Sequence, residues 1–369
     1  MPSLSQLFSY VQQTLFPQLD ATLDTPLTRQ HRELIWILSV LRVEEVVDSP
    51  WRWHRVGAIE HDRRKLARAF IVKAWLGLEQ TTDLRERLQV DRVLRTLCGW
   101  QGGERLPSLS TFSRALSMLA RTGLFDQLHT LRVEEYLGDG VSLHLCRDST
   151  AIVARERTAR KATPPAQSKR KRGRPRKGEE RPPTPAPERR LARQVTQTAA
   201  EAIAELPTHC GMGAKRHSCG IVTAWRGYKF HVDVIEHGIP VAALTTAAEV
   251  NDSQVAIPLM RMSSARLRYC YELMDCGYQG PEIPQMAAEL GHVAIVAPKG
   301  RKSKPPRPLE PDRQRQFRAR TAVERFNSQF KDTAGTRQIW VRGHPKVHAV
   351  LMCALLVVFA KLLPTVLRC

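Results

Sequence analysis

No two cysteines of the 369-residue chain stand in a Cys-X-X-Cys spacing, although there are eight of them. Cys98, Cys146, Cys210, Cys219, Cys270, Cys276, Cys353 and Cys369 are scattered through segments that read as core, which points to reduced thiols rather than a disulfide framework. Long apolar runs are also missing. The longest, 349–360, is twelve residues and is closed by Lys361, too short to span a bilayer, so a buried C-terminal helix is expected there. The N-terminus lacks the basic, apolar, small-residue progression of a secretory signal, so a cytoplasmic location is expected. Acidic residues are scarce: 36 Asp and Glu face 57 Lys and Arg, a formal net charge of +21. That balance favours a polyanionic partner, nucleic acid before membrane, bound in a salt-sensitive way. What remains is a body with 42% hydrophobic residues, long enough for two domains with a proper core.

Through residues 1–133 the pattern is helical, and a helical N-terminal DNA-binding domain is expected over that range. Apolar residues recur at three and four in Leu66, Phe70 and Ala74, in Leu84 and Leu88, and in Phe112, Leu116 and Leu119. Breaks fall at Gly99, Gly102-Gly103 and Pro107, and Ser108 or Ser110 can cap the helix that opens Thr111-Phe112-Ser113-Arg114. Two readings of this last helix stay open: a helix-turn-helix in which Arg114 contacts DNA, and a bundle helix with no groove-reading role.

A second, α/β domain is expected over 134–369, because the period becomes strand-like near Tyr136. Residues 141–148 alternate and end in a carboxylate, Asp148, followed by Ser149-Thr150. A basic insertion then spans about 155–194, with fifteen Lys or Arg against four Glu, a net +11, and seven prolines. Such a segment cannot build a core and is expected to be disordered. Its centre, Lys171-Arg172-Gly173-Arg174-Pro175-Arg176-Lys177, resembles an AT-hook, and a plain polybasic arm in which Arg172 and Arg174 meet DNA phosphates is the other reading. His209-Cys210 and His217-Cys219 match no common zinc spacing.

Beyond the insertion, 220–234 and 241–246 read as a hairpin turning at His237-Gly238. Asn251-Asp252-Ser253 caps a helix to about 262, and 269–275 is a strand ending in Asp275. A helix at 282–290, a strand at 292–297 and a basic, Pro-rich connector follow. The connector leads to a helix on which Arg320, Glu324, Asn327 and Lys331 share one narrow face, with Ala319, Val323, Phe326 and Phe330 on a face about a quarter turn away. Asp148, Asp275 and Glu324 suit a two-metal phosphoryl-transfer site by type and location: oxygen ligands favour Mg²⁺, with Mn²⁺ as a substitute.

Phe317, Arg320, Glu324 and Lys331 carry the spacing Y-(2)-R-(3)-E-(6)-K, with Phe in place of Tyr. Together with Asp148-Ser149-Thr150, Asp275-Cys276-Gly277-Tyr278 and Gly227-Tyr228-Lys229-Phe230-His231, this resembles the bacterial insertion-sequence DDE transposases of the fourth insertion-sequence group and near relatives. The resemblance implies a ribonuclease-H-like domain, a mixed five-stranded sheet whose first three strands are antiparallel, flanked by helices. It also implies cleavage of transposon ends and strand transfer into target DNA. By the same resemblance Asp148, Asp275 and Glu324 hold two Mg²⁺ ions, and Arg320 and Lys331 hold phosphate. A homodimer on double-stranded DNA, bound to terminal inverted repeats and target, is expected, in a bacterial cytoplasm near the nucleoid. The alternatives are a non-transposing nuclease and a non-enzymatic DNA-binding protein of the same fold.

Overall fold

The computed structural model describes residues 27–47, 61–101, 103–159, 188–216, 220–300 and 308–367. The insertion's centre, including Arg172 and Arg174, and His217 with Cys219 therefore lie outside the described residues.

The helices before the sheet are α1 Arg29–Leu41, α2 Arg63–Trp75, α3 Thr81–Val90, α4 Arg92–Leu97, α5 Leu109–Arg121 and α6 Leu124–Leu137. Their starts follow the capping chemistry of the sequence. Thr28, Asp62, Asp91 and Ser108 each accept a backbone N–H of the first turn, so Ser108, not Ser110, caps α5. On α5 the stripe Phe112, Ala115, Leu116 and Leu119 is buried, while Ser113 and Arg114 are exposed.

The second half runs β1 Val141–Ala154, α7 Arg190–Thr196, α8 Ala199–Ala204, β2 Gly211–Arg216, β3 Val222–Val234, β4 Pro240–Ala247, α9 Ser253–Ser264 and β5 Arg268–Met274. It continues through α10 Glu282–Glu289, β6 Val293–Val296, α11 Pro311–Phe317, α12 Thr321–Thr333, β7 Gln338–Ile339 and α13 His344–Val366. The sheet is mixed. β3 lies antiparallel between β1 and β4, β1 is parallel to β5, and β5 is parallel to β6. β2 pairs antiparallel with the first half of β3, and β7 adds a short parallel pair at the end of β1.

Two features of β1 position the site. The strand does not stop at Asp148, as the sequence reading expects, but runs fourteen residues to Ala154, because Ser149–Val153 continue the ladder with β3. On its other edge, β5 pairs with β1 up to Arg147 and β7 pairs with Val153 and Ala154, so among the described residues 148–152 have no strand partner there. The sheet opens on that edge beside Asp148.

On the opposite edge, Gly227 lets β3 run close against β1 where it pairs with Val153. Its φ is +150°, and a Cβ there would sit 2.0 Å from the carbonyl oxygen of Ile152.

One face of the sheet is covered by α9 and α10 with Leu191 of α7, in a cluster of Ala256, Ile257, Met260, Met274, Tyr278 and Ile283. A buried charge network ties this face together. Arg147 donates to both carboxylate oxygens of Asp233 at 2.7 Å and to the Ala256 carbonyl at 3.0 Å, Ser263 donates to Asp233 at 2.7 Å, and Glu272 lies 3.7 Å from Arg147. The other face receives α12 and α13, with Phe230 of β3 stacked on Phe330 at 4.9 Å.

The helices before β1 share one continuous buried cluster with α13 and the sheet, from Leu34 through Leu128 and Phe230 to Leu363. α13 is the hub, lying against α1, α2, α5, α6, β4 and α12. It spans 23 residues with a peak mean hydropathy of 2.3, longer than the apolar run of the sequence suggests and sufficient by length and composition to cross a membrane. Two-thirds (67%) of that apolar window is buried within the protein, which accounts for its composition as that of a core helix.

Candidate active site

The parallel register builds the site. Arg147 of β1 pairs with Met274 of β5, so the next residues, Asp148 and Asp275, leave the ladder side by side on adjacent strands. The alternation of β1 sends Arg147 to the α9 face, where it meets Ala256, and sends Cys146 and Asp148 to the opposite face, towards 319–327. Asp275 opens a single 3₁₀ turn, and its Oδ1 accepts the backbone N–H of Gly277 at 2.8 Å, which fixes the carboxylate's direction.

Helix α12 supplies the remaining wall. Val323, Phe326 and Phe330 are buried and set its orientation, as the apolar stripe in the sequence requires. The polar face beside that stripe is turned to Asp148. Asn327 Nδ2 donates to Asp148 Oδ2 at 3.0 Å, and Arg320, in the turn just before α12, reaches Asp148 Oδ1 at 3.2 Å with one terminal nitrogen. The other terminal nitrogen of Arg320 reaches Glu324 Oε1 at 3.0 Å. One guanidinium thus bridges two of the three expected acids. Glu324 is otherwise open, its side chain 59% exposed. Phe317, where the Y-R-E-K pattern calls for Tyr, packs half-buried against the main core.

The electrostatics are those of crowded acids. The Asp148 carboxyl is pushed up to about 6 from its ordinary 3.8, chiefly by burial and further by Asp275, against the pull of Arg320, the Ser149 N–H and Lys215. Lys331, one turn beyond Asn327, is half-buried. Its ammonium is lowered first by burial and then by Lys215 and Arg337, with Asp148 opposing. Lys215 on β2 thereby enters the site's field.

Beside Asp275 lies a cleft of about 460 Å³ whose lining includes Lys229, Asp252, Cys276, Gly277, Gln279 and Lys299. Lys229 bonds Asp252 Oδ1 at 3.0 Å and the Val250 carbonyl at 2.8 Å.

Asp148, Asp275, Glu324, Arg320 and Lys331 are therefore gathered at one opening of the sheet, and Asn327, Lys215 and Asp252 join them. Arg114 is exposed on α5, with no contact to the carboxylates. His209 pairs with Glu249 at 2.5 Å and the Cys210 thiol points at the Glu156 carbonyl, so these two bond to other groups. Among the described residues no three His, Cys, Asp or Glu side chains converge as a ready-made metal cluster. The donor set is nonetheless all-oxygen, with two adjacent carboxylates and a third linked to Asp148 through the Arg320 guanidinium. The Asn327 side-chain oxygen is buried without a protein partner on the same wall. Such a set fits a hard divalent ion, and Arg320 shows where positive charge is demanded.

Residues 142–359, well over half of the chain, match the family model described as "Transposase DDE domain". Residues 27–117 match a second model, described as "Transposase domain (DUF772)". No curated protein and no solved structure matches the chain.

Proposed function

The chain belongs to the transposase family defined by the DDE domain, and from that premise we propose that it binds the ends of an insertion sequence, cleaves DNA strands there and joins the freed ends to target DNA. The observation that carries this reading is the register that sets Asp148 beside Asp275, with Arg320 and the Asn327 face of α12 closing over Asp148. We read the sheet as ribonuclease-H-like, since the antiparallel β1, β3 and β4 followed by the parallel β5 and β6 give the strand order such a domain has.

Asp148, Asp275 and Glu324 would hold two Mg²⁺ ions, with Mn²⁺ as a substitute. Bound there, such ions would supply Lewis-acid activation of the attacking oxygen and compensation of charge on the leaving oxygen. The chain's own residues do the rest. Asn327 and the Ser149 N–H hold the Asp148 carboxylate in place, and the Gly277 N–H holds that of Asp275. Arg320 compensates Asp148 and Glu324 before DNA arrives and offers the same planar donors to a phosphate once those acids bind cations. Lys331 and Lys215 flank the acids as point charges for the backbone near the scissile bond. Arg114 on α5, with Arg172 and Arg174 in the basic arm, would bind DNA away from the cut. The active form would be a homodimer on paired element ends, in the cytoplasm at the nucleoid.

The test is an incubation of the protein and Mg²⁺ with duplex carrying the inverted repeats that bracket its coding region. Cleavage at the repeat termini and covalent joining to a second duplex are expected. Cutting of any duplex alike, without joined product, would instead mark a non-transposing nuclease.

A further inference from the structure

Tyr278 is a fully buried polar side chain beside the site that the mechanism above does not use. It follows Asp275 by three residues, is 0% exposed, and its ring packs among Met274, Ile257 and Ile283. Its backbone N–H bonds the Asp275 carbonyl at 3.2 Å, which closes the turn. Its hydroxyl has no protein partner. A buried unpaired hydroxyl costs stability, and phenylalanine would fill the same space without that cost.

The surroundings of that hydroxyl are specific. After burial itself, the groups that raise the phenol furthest above its ordinary value are Asp252 and Asp148, and Asp275 acts in the same direction. The approach of the carboxylates is visible at Gly277, where a Cβ would lie 2.9 Å from Asp275 Oδ1 and 3.3 Å from Asp252 Oδ2. Asp252 is anchored by Lys229 at 3.0 Å, with the His231 ring at 3.8 Å. Three carboxylates from three different elements thus act on one buried donor that has no protein partner.

We propose that Tyr278 is a positioning residue of the divalent-ion site: its hydroxyl donates to a water of the hydrated cation held by Asp148 and Asp275, and Asp252 accepts from the same hydration shell. The inference rests on the metal-site reading above. The donor is kept unpaired in the metal-free protein because its partner arrives with the ion. Outer-shell donors of this kind orient what the ligands hold and typically carry about 10- to 100-fold in metal affinity.

The experiment is titration of Mn²⁺ into the full chain by calorimetry, without DNA, for wild type, Tyr278→Phe and Asp275→Asn, with urea denaturation of each in EDTA. Tyr278→Phe is expected to weaken Mn²⁺ about tenfold while making the metal-free protein at least as stable as wild type. Asp275→Asn is expected to abolish binding. Wild-type Mn²⁺ affinity in Tyr278→Phe, with Asp275→Asn inactive in binding, would overturn the role of Tyr278 and leave the metal site standing. Loss of stability in the metal-free Tyr278→Phe protein with unchanged affinity would make the hydroxyl structural. No binding by wild type at all would overturn the metal site itself.

Discussion

Replacing Asp148 by asparagine is expected to stabilise the metal-free protein, and to do so only above mildly acidic pH. The Asp148 carboxyl titrates near 6 in the folded chain against an ordinary value of 3.8, so between those values the folded state holds a proton that the unfolded state has released. Wild-type stability therefore falls as pH rises through that window, because the fold increasingly has to accommodate a carboxylate that burial and Asp275 disfavour. A shift of about two units corresponds to about 3 kcal/mol at 1.36 kcal/mol per unit. This figure is an upper bound, since the side chain keeps 20% of its exposure and water screens part of the effect. Asparagine cannot titrate. It keeps an acceptor for one of Arg320 and Asn327. Urea denaturation in EDTA at steps from pH 4.5 to 8 should show Asp148→Asn gaining on wild type up to pH 6 and then holding a constant lead of about 1–3 kcal/mol. Added Mg²⁺ at pH 8 should erase that lead, since the ion relieves the repulsion in wild type alone. A difference that stays flat across the whole range, or one that favours wild type more as pH rises, would refute the reasoning.

Other positions test the frame around the acids. Gly227→Ala places a methyl 2.0 Å from the Ile152 carbonyl at a φ of +150°, so a loss of about 3 kcal/mol or more is expected by urea denaturation, and a loss below about 1 kcal/mol would show that the strands yield. Arg147→Met leaves Asp233 and Glu272 buried without their cation, and about 3–5 kcal/mol should be lost in the same assay. Deleting 160–187 removes ten Lys or Arg. Fluorescence anisotropy on duplex DNA should then show weaker binding and a shallower salt slope, by about 0.9 for each phosphate that the arm no longer neutralises. An unchanged slope would make the arm an idle linker.

Much of the site could be read in the sequence because helices and strands impose different periods. The two faces of α12 were legible at 3.6 residues per turn: Val323, Phe326 and Phe330 are buried, and Arg320 and Asn327 meet Asp148. The strand before Asp275, the hairpin at 236–238 and the helix at 282–289 were legible from alternation and from Gly and Pro punctuation.

The extent of β1 was not. A charged residue in the middle of a strand looks like its end, and only the pairing of Ser149–Val153 with β3 shows that the strand continues. β2, Gly-Met-Gly-Ala-Lys-Arg, has no β-branched residue and exists by pairing with β3. Asn251-Asp252-Ser253 reads as a cap, and Asp252 does hold the cap position, but it is Asn251 that accepts the Ser253 N–H while the Asp252 side chain turns to Lys229. The change of period near Tyr136 marks where helices give way to the sheet, but the side chains on both sides enter one core around α13. A long-range packing of that kind leaves no local signature.

The most direct measurement of the central claim pairs cleavage with binding in Asp148→Asn, Asp275→Asn and Glu324→Gln. Each variant is assayed for Mg²⁺-dependent cutting of a duplex bearing the element's end and for affinity to that duplex. Cutting should be lost in all three, by about 10³-fold or more as expected for groups acting as one metal-binding unit, with affinity close to wild type. Cutting that survives in any one of them would contradict that claim.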